Sequence, residues 1–528
     1  MITSLPFRTW KLAWMGLFTA GIACCGAFTH AASPNIVIIL ADDLGYADAS
    51  CYGGKIQTPH IDRLAAQGMR FTDAHTTSSV CSPTRYGLLT GRYNWRSKLQ
   101  RGVLGGLSPR LIEPGRMTLA SLLKSQGYHT ACIGKWHLGM DWAVKPNASV
   151  AETNIESRAQ VFAVDYLQPI KNGPNSVGFD FYYGISASLD MVPYTFINDD
   201  HVDSLPTEDR DFAMMHARPA SNRTRKGPTA PDFEAADVLP TLTRKSVEYI
   251  AARAAQAKAG HPFFLYLPLA SPHTPILPTN EWQGKSGLNP YADFVMQSDW
   301  AVGQVLTALQ QHALDDNTLV VVTSDNGCSP QAQFEELAAA GHHPSGPLRG
   351  HKADLFEGGH RVPLIAKWPG QVPAGSTCDQ LVCQVDLFAT VAEIVGASVN
   401  PDAAEDSQSF LTTLRNPAAS SRDHLVSHSI NGSFAIRRGD WKLLLCGDSG
   451  GWSEPRPDSK KSQGLPPSQL FNLRDDIGER NNLVDSQTTQ VQELTELLER
   501  IVSEGRSTPG PKQSNQVPVK LRPAAGKP

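Results

Sequence analysis

Three runs of this 528-residue chain are apolar, rich in β-branched or aromatic residues, and end in a polar cluster. Asn35-Ile36-Val37-Ile38-Ile39-Leu40 passes into Ala41-Asp42-Asp43. Phe263-Phe264-Leu265-Tyr266-Leu267 leads to Ser271-Pro272-His273, and Leu319-Val320-Val321-Val322-Thr323 runs into Ser324-Asp325-Asn326-Gly327. Runs without polar alternation read as strands buried on both faces, the condition of a parallel sheet covered by helices. Helical patterns lie between them, at 61–68 and 119–127. Alternation of strand and helix predicts an α/β fold, with a large, mostly parallel sheet flanked by helices. Such open sheets bind ligands in the crevice past the carboxyl ends of their strands. The polar clusters stand where a site would form.

Asp42 and Asp43 after one strand, with Asp325 and Asn326 after another, are hard oxygen donors that the sheet would bring together. That set suits Ca²⁺ or Mg²⁺ rather than a thiolate metal. A single Asp-Asp pair serves as readily as a helix N-cap, but two pairs at the ends of buried strands favour a cation. A second feature is Cys81-Ser82-Pro83-Thr84-Arg85, continued by Leu89-Thr90-Gly91-Arg92. Pro83 and Thr84 fit the first turn of a helix, so Cys81 would sit at a helix N-terminus, where the dipole favours an anion. Arg85 offers a charged fork to an anion's oxygens.

The Cys-x-Pro-x-Arg run with its Leu-Thr-Gly-Arg extension resembles the modification signature of the type I, formylglycine-dependent sulfatases, in their arylsulfatase A and N-acetylgalactosamine-6-sulfatase branches. The resemblance covers the chain from about 33 to 485 and implies an alkaline-phosphatase-like fold. It also implies that Cys81 is oxidised by a maturation enzyme to Cα-formylglycine, whose hydrate attacks a sulfate ester. The same resemblance assigns Asp42, Asp43, Asp325 and Asn326, together with modified Cys81, to one Ca²⁺ ion. Gly134-Lys135-Trp136-His137-Leu138-Gly139 matches the element whose Lys contacts sulfate and whose His holds the hydrate and takes its proton. His273, in Ser271-Pro272-His273-Thr274-Pro275, matches the histidine near the bridging ester oxygen, a general acid for the departing alcohol. Lys352, five residues before Glu357-Gly358-Gly359, matches a second sulfate-binding lysine. His351 stands where many relatives have a small residue; it and His360 read as polar loop histidines. The implied catalytic set is Cys81, Arg85, Lys135, His137, His273 and Lys352. A phosphonate or phosphodiester hydrolase of the same superfamily, and a non-catalytic binder of sulfated glycans in which Cys81 stays a thiol, are the competing readings.

A formal net charge of −4 and a pI near 6.5 leave no basic field of the kind that nucleic acid or an anionic membrane requires. Residues 1–32 read as a secretory signal, with Arg8 and Lys11 before an apolar stretch from Leu12 to Phe28 and small Ala31 and Ala32 at its end. This predicts export to a periplasmic, secreted or lysosome-like compartment, without stable membrane insertion after signal removal. Two of the nine cysteines, Cys24 and Cys25, fall inside that signal. Cys51, Cys132, Cys328, Cys378, Cys383 and Cys446 remain for disulfides, with no pairing fixed by spacing.

The catalytic domain is expected over 33–414, with 145–235, rich in Pro, Asn and Asp, as an irregular insertion. A C-terminal α+β subdomain follows over 415–503. There Phe434-Ala435-Ile436 and Trp441 to Leu445 flank a hairpin turn, and Val491, Leu494, Leu497, Leu498 and Ile501 form a helical stripe. Residues 504–528 read as a disordered tail. Trp95, Tyr182–Ser186 and Asp190–Tyr194 are candidates for the wall of a sugar pocket or for core. A sulfated carbohydrate is the expected substrate, with aryl sulfates as artificial ones.

Overall fold

The apolar runs form the middle of a ten-stranded sheet in the computed structural model, which describes residues 1–10, 33–150, 156–219 and 221–522. Across the sheet the strands are Ser376–Cys378, Met69–Phe71, Leu364–Lys367, Thr318–Ser324, Asn35–Asp42, Phe263–Pro272, His129–Lys135, Phe181–Ile185, Ile197–Asn198 and His201–Val202. From Thr318–Ser324 through Phe181–Ile185 every pairing is parallel. Antiparallel strands join on both flanks, so the sheet is mixed at its edges. In the centre Ile38 lies between Tyr266 and Val321. All eight residues of Asn35–Asp42 are buried, because helices cover both faces, as parallel pairing demands. The carboxyl ends of the central strands therefore open at one edge of a dry core.

The 145–235 stretch, expected as an irregular insertion, contributes strands to the large sheet. Phe181–Ile185 pairs with His129–Lys135, and Ile197–Asn198 and His201–Val202 extend the edge. Strands two residues long among Asp, Asn and Pro carry too little period to be seen in sequence.

The C-terminal part is a four-stranded antiparallel sheet, His424–His428, Phe434–Arg438, Trp441–Leu444 and Gln469–Asn472, with the helix Thr488–Glu504. Leu494, Leu497, Leu498 and Ile501 pack on Ile436, Leu443 and Trp95. Leu498 is fully buried, so Leu498→Ala would cost about 2–5 kcal/mol. The opposite sheet face, through Ala435, Leu444 and Phe471, packs on Leu355 and Phe356. Both faces of this small sheet are thus covered.

Segment 505–522 contains no helix or strand, yet it is tied down rather than free, through hydrogen bonds to Arg92, Arg96 and Lys98. The seven cysteines from Cys51 to Cys446 are all unpaired thiols. Trp95, Tyr182 and Tyr194 are core, each at most 1% exposed. Residues 1–10 form no helix or strand and are exposed. The apolar stretch expected as a signal, with Cys24, Cys25, Ala31 and Ala32, lies outside the described residues. No helix among the described residues is long and apolar enough to cross a membrane.

Candidate active site

Four central strands deliver the expected side chains to one place. Asp42 ends its strand and Asp43 follows it; Lys135 ends the second, with His137 two residues on; His273 follows the third; Asp325 and Asn326 follow the fourth. Cys81 opens the helix Cys81–Thr90, all of whose residues are buried. The extended Val80 starts that helix, and Gly91, at φ 66°, ends it in the left-handed conformation that glycine adopts without strain. Asp43 (φ 68°) and His137 (φ 55°) adopt the same conformation without being glycine. Each such residue costs about 1–2 kcal/mol, a strain characteristic of functional positions.

Ligand atoms of Asp42, Asp43, Cys81 and His273 all lie within 4.8 Å of one another. Cys81 Sγ is 3.6 Å from Asp42 Oδ1, and Lys135 Nζ donates to Asp42 Oδ2 at 2.5 Å. Lys352 Nζ reaches Asp43 at 2.7 Å from Oδ1 and 2.8 Å from Oδ2. Arg85 Nε and Nη2 donate to Asp325 Oδ2 at 3.1 and 2.7 Å, and its Nη1 to Lys135 O at 2.9 Å. Asn326 Nδ2 donates to Asp43 Oδ1 at 2.6 Å, while Asn326 Oδ1 is buried without a partner. Every residue of the expected set is in this cluster. His351 and His360 are not. His351 bonds Lys352 O. His360, expected in a polar loop, is buried against His75.

Burial raises the Asp42 carboxyl, but Lys135, His273, Arg85 and Lys352 outweigh it and hold Asp42 well below the usual carboxylate range. Asp325 goes the other way, pushed up to about 6 by burial and by the charge of Asp42. Three carboxylates so close together favour a cation among them. The orphaned Asn326 Oδ1 and the convergent carboxylate oxygens fit a hard divalent ion such as calcium. The one soft donor in the set is Cys81 Sγ. Burial pushes the Cys81 thiol well up, so in this form it is a neutral, weak nucleophile.

The two histidines are set up differently. His137 lies against Leu104 O, 2.8 Å from its Nε2, which assigns the proton to Nε2 and leaves the buried Nδ1 as an unpartnered acceptor. Burial, then Lys135 and Arg85, push His137 well below its usual pKa, so the ring is neutral and Nδ1 carries a lone pair. His273 Nδ1 lies 2.5 Å from Thr274 O, which turns Nε2 toward Asp43 Oδ2 at 3.7 Å.

Residues 34–397 match the family described as Sulfatase. The chain belongs to the sulfatase family. An N-acetylgalactosamine-6-O-sulfatase of Bacteroides thetaiotaomicron is 33% identical over 504 residues, 89% of this chain and 93% of that protein. Arylsulfatase A of Bos taurus is 32% identical over 89% of this sulfatase and 87% of its own length. A structure solved in work on glycosaminoglycan metabolism by Bacteroides thetaiotaomicron aligns with a TM-score of 0.76 and 33% identity, over 89% of this chain and 99% of that one. The chain is a sulfatase with the alkaline-phosphatase-like architecture.

Two features of this sulfatase site escape sequence reasoning. The Leu104 carbonyl that orients His137 is a backbone group in a Gly-rich loop and leaves no residue signature. A buried polar cluster of His75, Glu357, His360 and Lys442 lies behind the site, and only its Glu-Gly-Gly run is conspicuous in the chain.

Proposed function

We propose that this sulfatase is an exported, calcium-dependent hydrolase of sulfated carbohydrate whose nucleophile derives from Cys81. The observation that carries the reading is the position of Cys81, in the first turn of a wholly buried helix, 3.6 Å from Asp42 and held as a neutral thiol. A thiol in that state is poorly suited to attack sulfur. Oxidation by a maturation enzyme to Cα-formylglycine would supply a hydrate that attacks and later frees sulfate as the aldehyde reforms, a route closed to a thiol or serine. Calcium, held by Asp42, Asp43, Asp325 and Asn326, would supply Lewis-acid stabilisation of the sulfate oxygens.

The remaining work falls to the protein's own side chains. Lys135 and Lys352, whose ammonium groups engage Asp42 and Asp43, and Arg85, held on Asp325, are buried cations that would bind the sulfate oxygens. His273, the least buried of these groups at 8% exposure, would give a proton from Nε2 to the departing alcohol. His137 Nδ1 would take the proton released when sulfate leaves. In this reading residues 1–32 are a signal peptide removed on export. Residues 33–414 carry the chemistry and 415–503 form a subdomain against it. The relative named for N-acetylgalactosamine-6-O-sulfate supports a sulfated sugar as substrate, with aryl sulfates as convenient probes.

The test is expression in a host that makes formylglycine, with mass spectrometry of the Cys81 peptide and turnover of p-nitrophenyl sulfate and defined sulfated saccharides. Wild-type protein is expected to lose the Cys81 sulfur and to hydrolyse the esters, and Cys81→Ala and Cys81→Ser to be inactive. Wild-type turnover by the Ala variant, or active protein whose residue 81 keeps its sulfur, overturns the mechanism.

A further inference from the structure

Among the described residues a second cluster gathers potential metal ligands, the buried His75, Glu357 and His360. A cation of the protein's own already stands there. Lys442, on the C-terminal strand Trp441–Leu444 and 1% exposed, donates through Nζ to Glu357 Oε1 at 2.9 Å and lies 3.1 Å from His360 Nε2, which also faces Leu355 O at 3.0 Å. The same Nζ stands 2.8 Å from Glu479 Oε1. Burial raises Glu357, yet Lys442, the strongest of the neighbouring charges, helps hold it well below the usual range. Arg361 Nη1 donates to Glu357 Oε2 at 3.2 Å from the other side, so loss of Lys442 leaves Oε1 without its cation and the turn held from one side only.

The contacts of the turn Glu357–His360 give this cluster its significance. Gly359 O accepts the N–H of Gly327, next to Asn326, at 3.0 Å, and His360 O accepts the N–H of Thr76, on the segment leading to Cys81, at 2.8 Å. Gly358 N–H donates to Arg349 O at 2.8 Å, at the head of the loop that carries Lys352. There is no slack at the first of these contacts, because a Cβ on Gly327 would lie 1.8 Å from Gly358 O. Glu479 braces the turn from the same side as Lys442, its Oε2 accepting Glu357 N–H at 2.7 Å and its backbone carbonyl accepting Arg349 Nη1 at 2.6 Å. A displacement of the turn moves Asn326, Lys352 and the approach to Cys81 together.

We propose that Lys442 is a positioning residue for the active site, through which the C-terminal sheet fixes the Glu357–His360 turn and thereby the Asp325–Asn326 pair and Lys352. The proposal rests on the calcium-dependent sulfatase reading above. Positioning groups of this kind change metal affinity or rate by about 10–100-fold when removed. Lys442 touches neither substrate nor metal, so its loss lowers kcat and calcium affinity and leaves KM for a small ester nearly unchanged.

The experiment compares full-length Lys442→Met, Lys442→Arg, Glu357→Gln and the Lys442→Met/Glu357→Gln double variant with wild type. It reads kcat and KM on p-nitrophenyl sulfate per formylglycine-bearing chain, calcium affinity by calorimetry, and thermal melting. Lys442→Met and Glu357→Gln are each expected to lose about tenfold or more in kcat and in calcium affinity, the double variant to be no worse than either, and Lys442→Arg to recover part of both. Should Lys442→Met fail to fold, Glu357→Gln carries the same test from the other partner. Folded single variants with wild-type kcat and calcium affinity overturn the proposal, as does a lowered melting temperature with neither parameter changed. Wild-type protein that neither binds calcium nor turns over the ester brings down the functional reading as well, whereas active, calcium-binding wild type with unaffected variants brings down this proposal alone.

Discussion

One turn along the helix from Cys81, Arg85 works as a fork rather than a charge. It is fully buried, and two of its nitrogens converge on one Asp325 oxygen while a third reaches Lys135 O. It therefore ties the ends of two strands to the helix that carries Cys81. Burial opposes its charge, but Asp325 and Asp42 more than restore it. A lysine could reach one of these two acceptors with its ammonium and would leave the other buried and unmet, at about 1–3 kcal/mol. Arg85→Lys is expected to lower the melting temperature and to reduce kcat by about 10–100-fold per aldehyde-bearing chain. Denaturation monitored by circular dichroism, together with steady-state kinetics, checks both, and wild-type values for both would show that charge alone suffices.

At the scale of elements, the strand ends were legible and the clasp behind them was not. A strand buried on both faces must be apolar throughout, so the change to Asp42-Asp43 or Asp325-Asn326 stands out against it. Lys442 has no such background. In Trp441-Lys442-Leu443-Leu444 it occupies the position of an outward residue on a half-exposed strand, and only packing of that face on Leu355 and Phe356 turns it inward. Glu479 lies in the run Glu479-Arg480-Asn481-Asn482-Leu483, which resembles the closing segment of sulfatase C-terminal subdomains but gives no sign of a buried carboxyl, yet burial pushes that carboxyl up to about 7, with the charge of Glu357 adding to the rise and Lys442 opposing it. A carboxyl raised in the folded state contributes stability below its unfolded pKa of about 4.5, and that contribution is lost as pH climbs toward 7. Glu479→Gln mimics the protonated form at every pH. The melting temperature of the variant relative to wild type is expected to rise between pH 5 and pH 8, and a difference independent of pH would refute a raised Glu479.

The whole molecule is closed by a strap with no regular structure. Composition alone assigns 504–528 to a free tail, since Pro, Gly, Lys and Gln bury little apolar surface. What holds 505–522 is hydrogen bonding to groups of the rest of the fold, together with Val519 and Leu521, which pack against the core around Trp95 and Leu498. Arg92 Nη2 donates to Ser514 O at 3.0 Å and Arg96 Nη1 to Asn515 Oδ1 at 2.8 Å. Gln516 N–H returns a bond to Arg96 O at 2.7 Å, and Gln100 reaches Pro518 O at 3.1 Å. Arg96 also pairs with Asp406 and lies 4.2 Å over the ring of Trp95, where the segment after the Cys81–Thr90 helix meets the small sheet and the final helix. A chain ending at Gly505 would leave these guanidinium groups short of partners, at about 0.5–1.5 kcal/mol for each bond lost. Asp406 and the Trp95 contact would survive, and the strap contributes nothing to the cluster around Cys81. Truncation after Gly505 is therefore expected to lower the melting temperature by about 2–6 °C while kcat at a temperature well below the transition stays within about threefold of wild type. Unchanged melting would mean that water replaces the strap at no cost, and a loss of kcat without a loss of stability would mean that the strap reaches the active site through Arg92 and the helix before it.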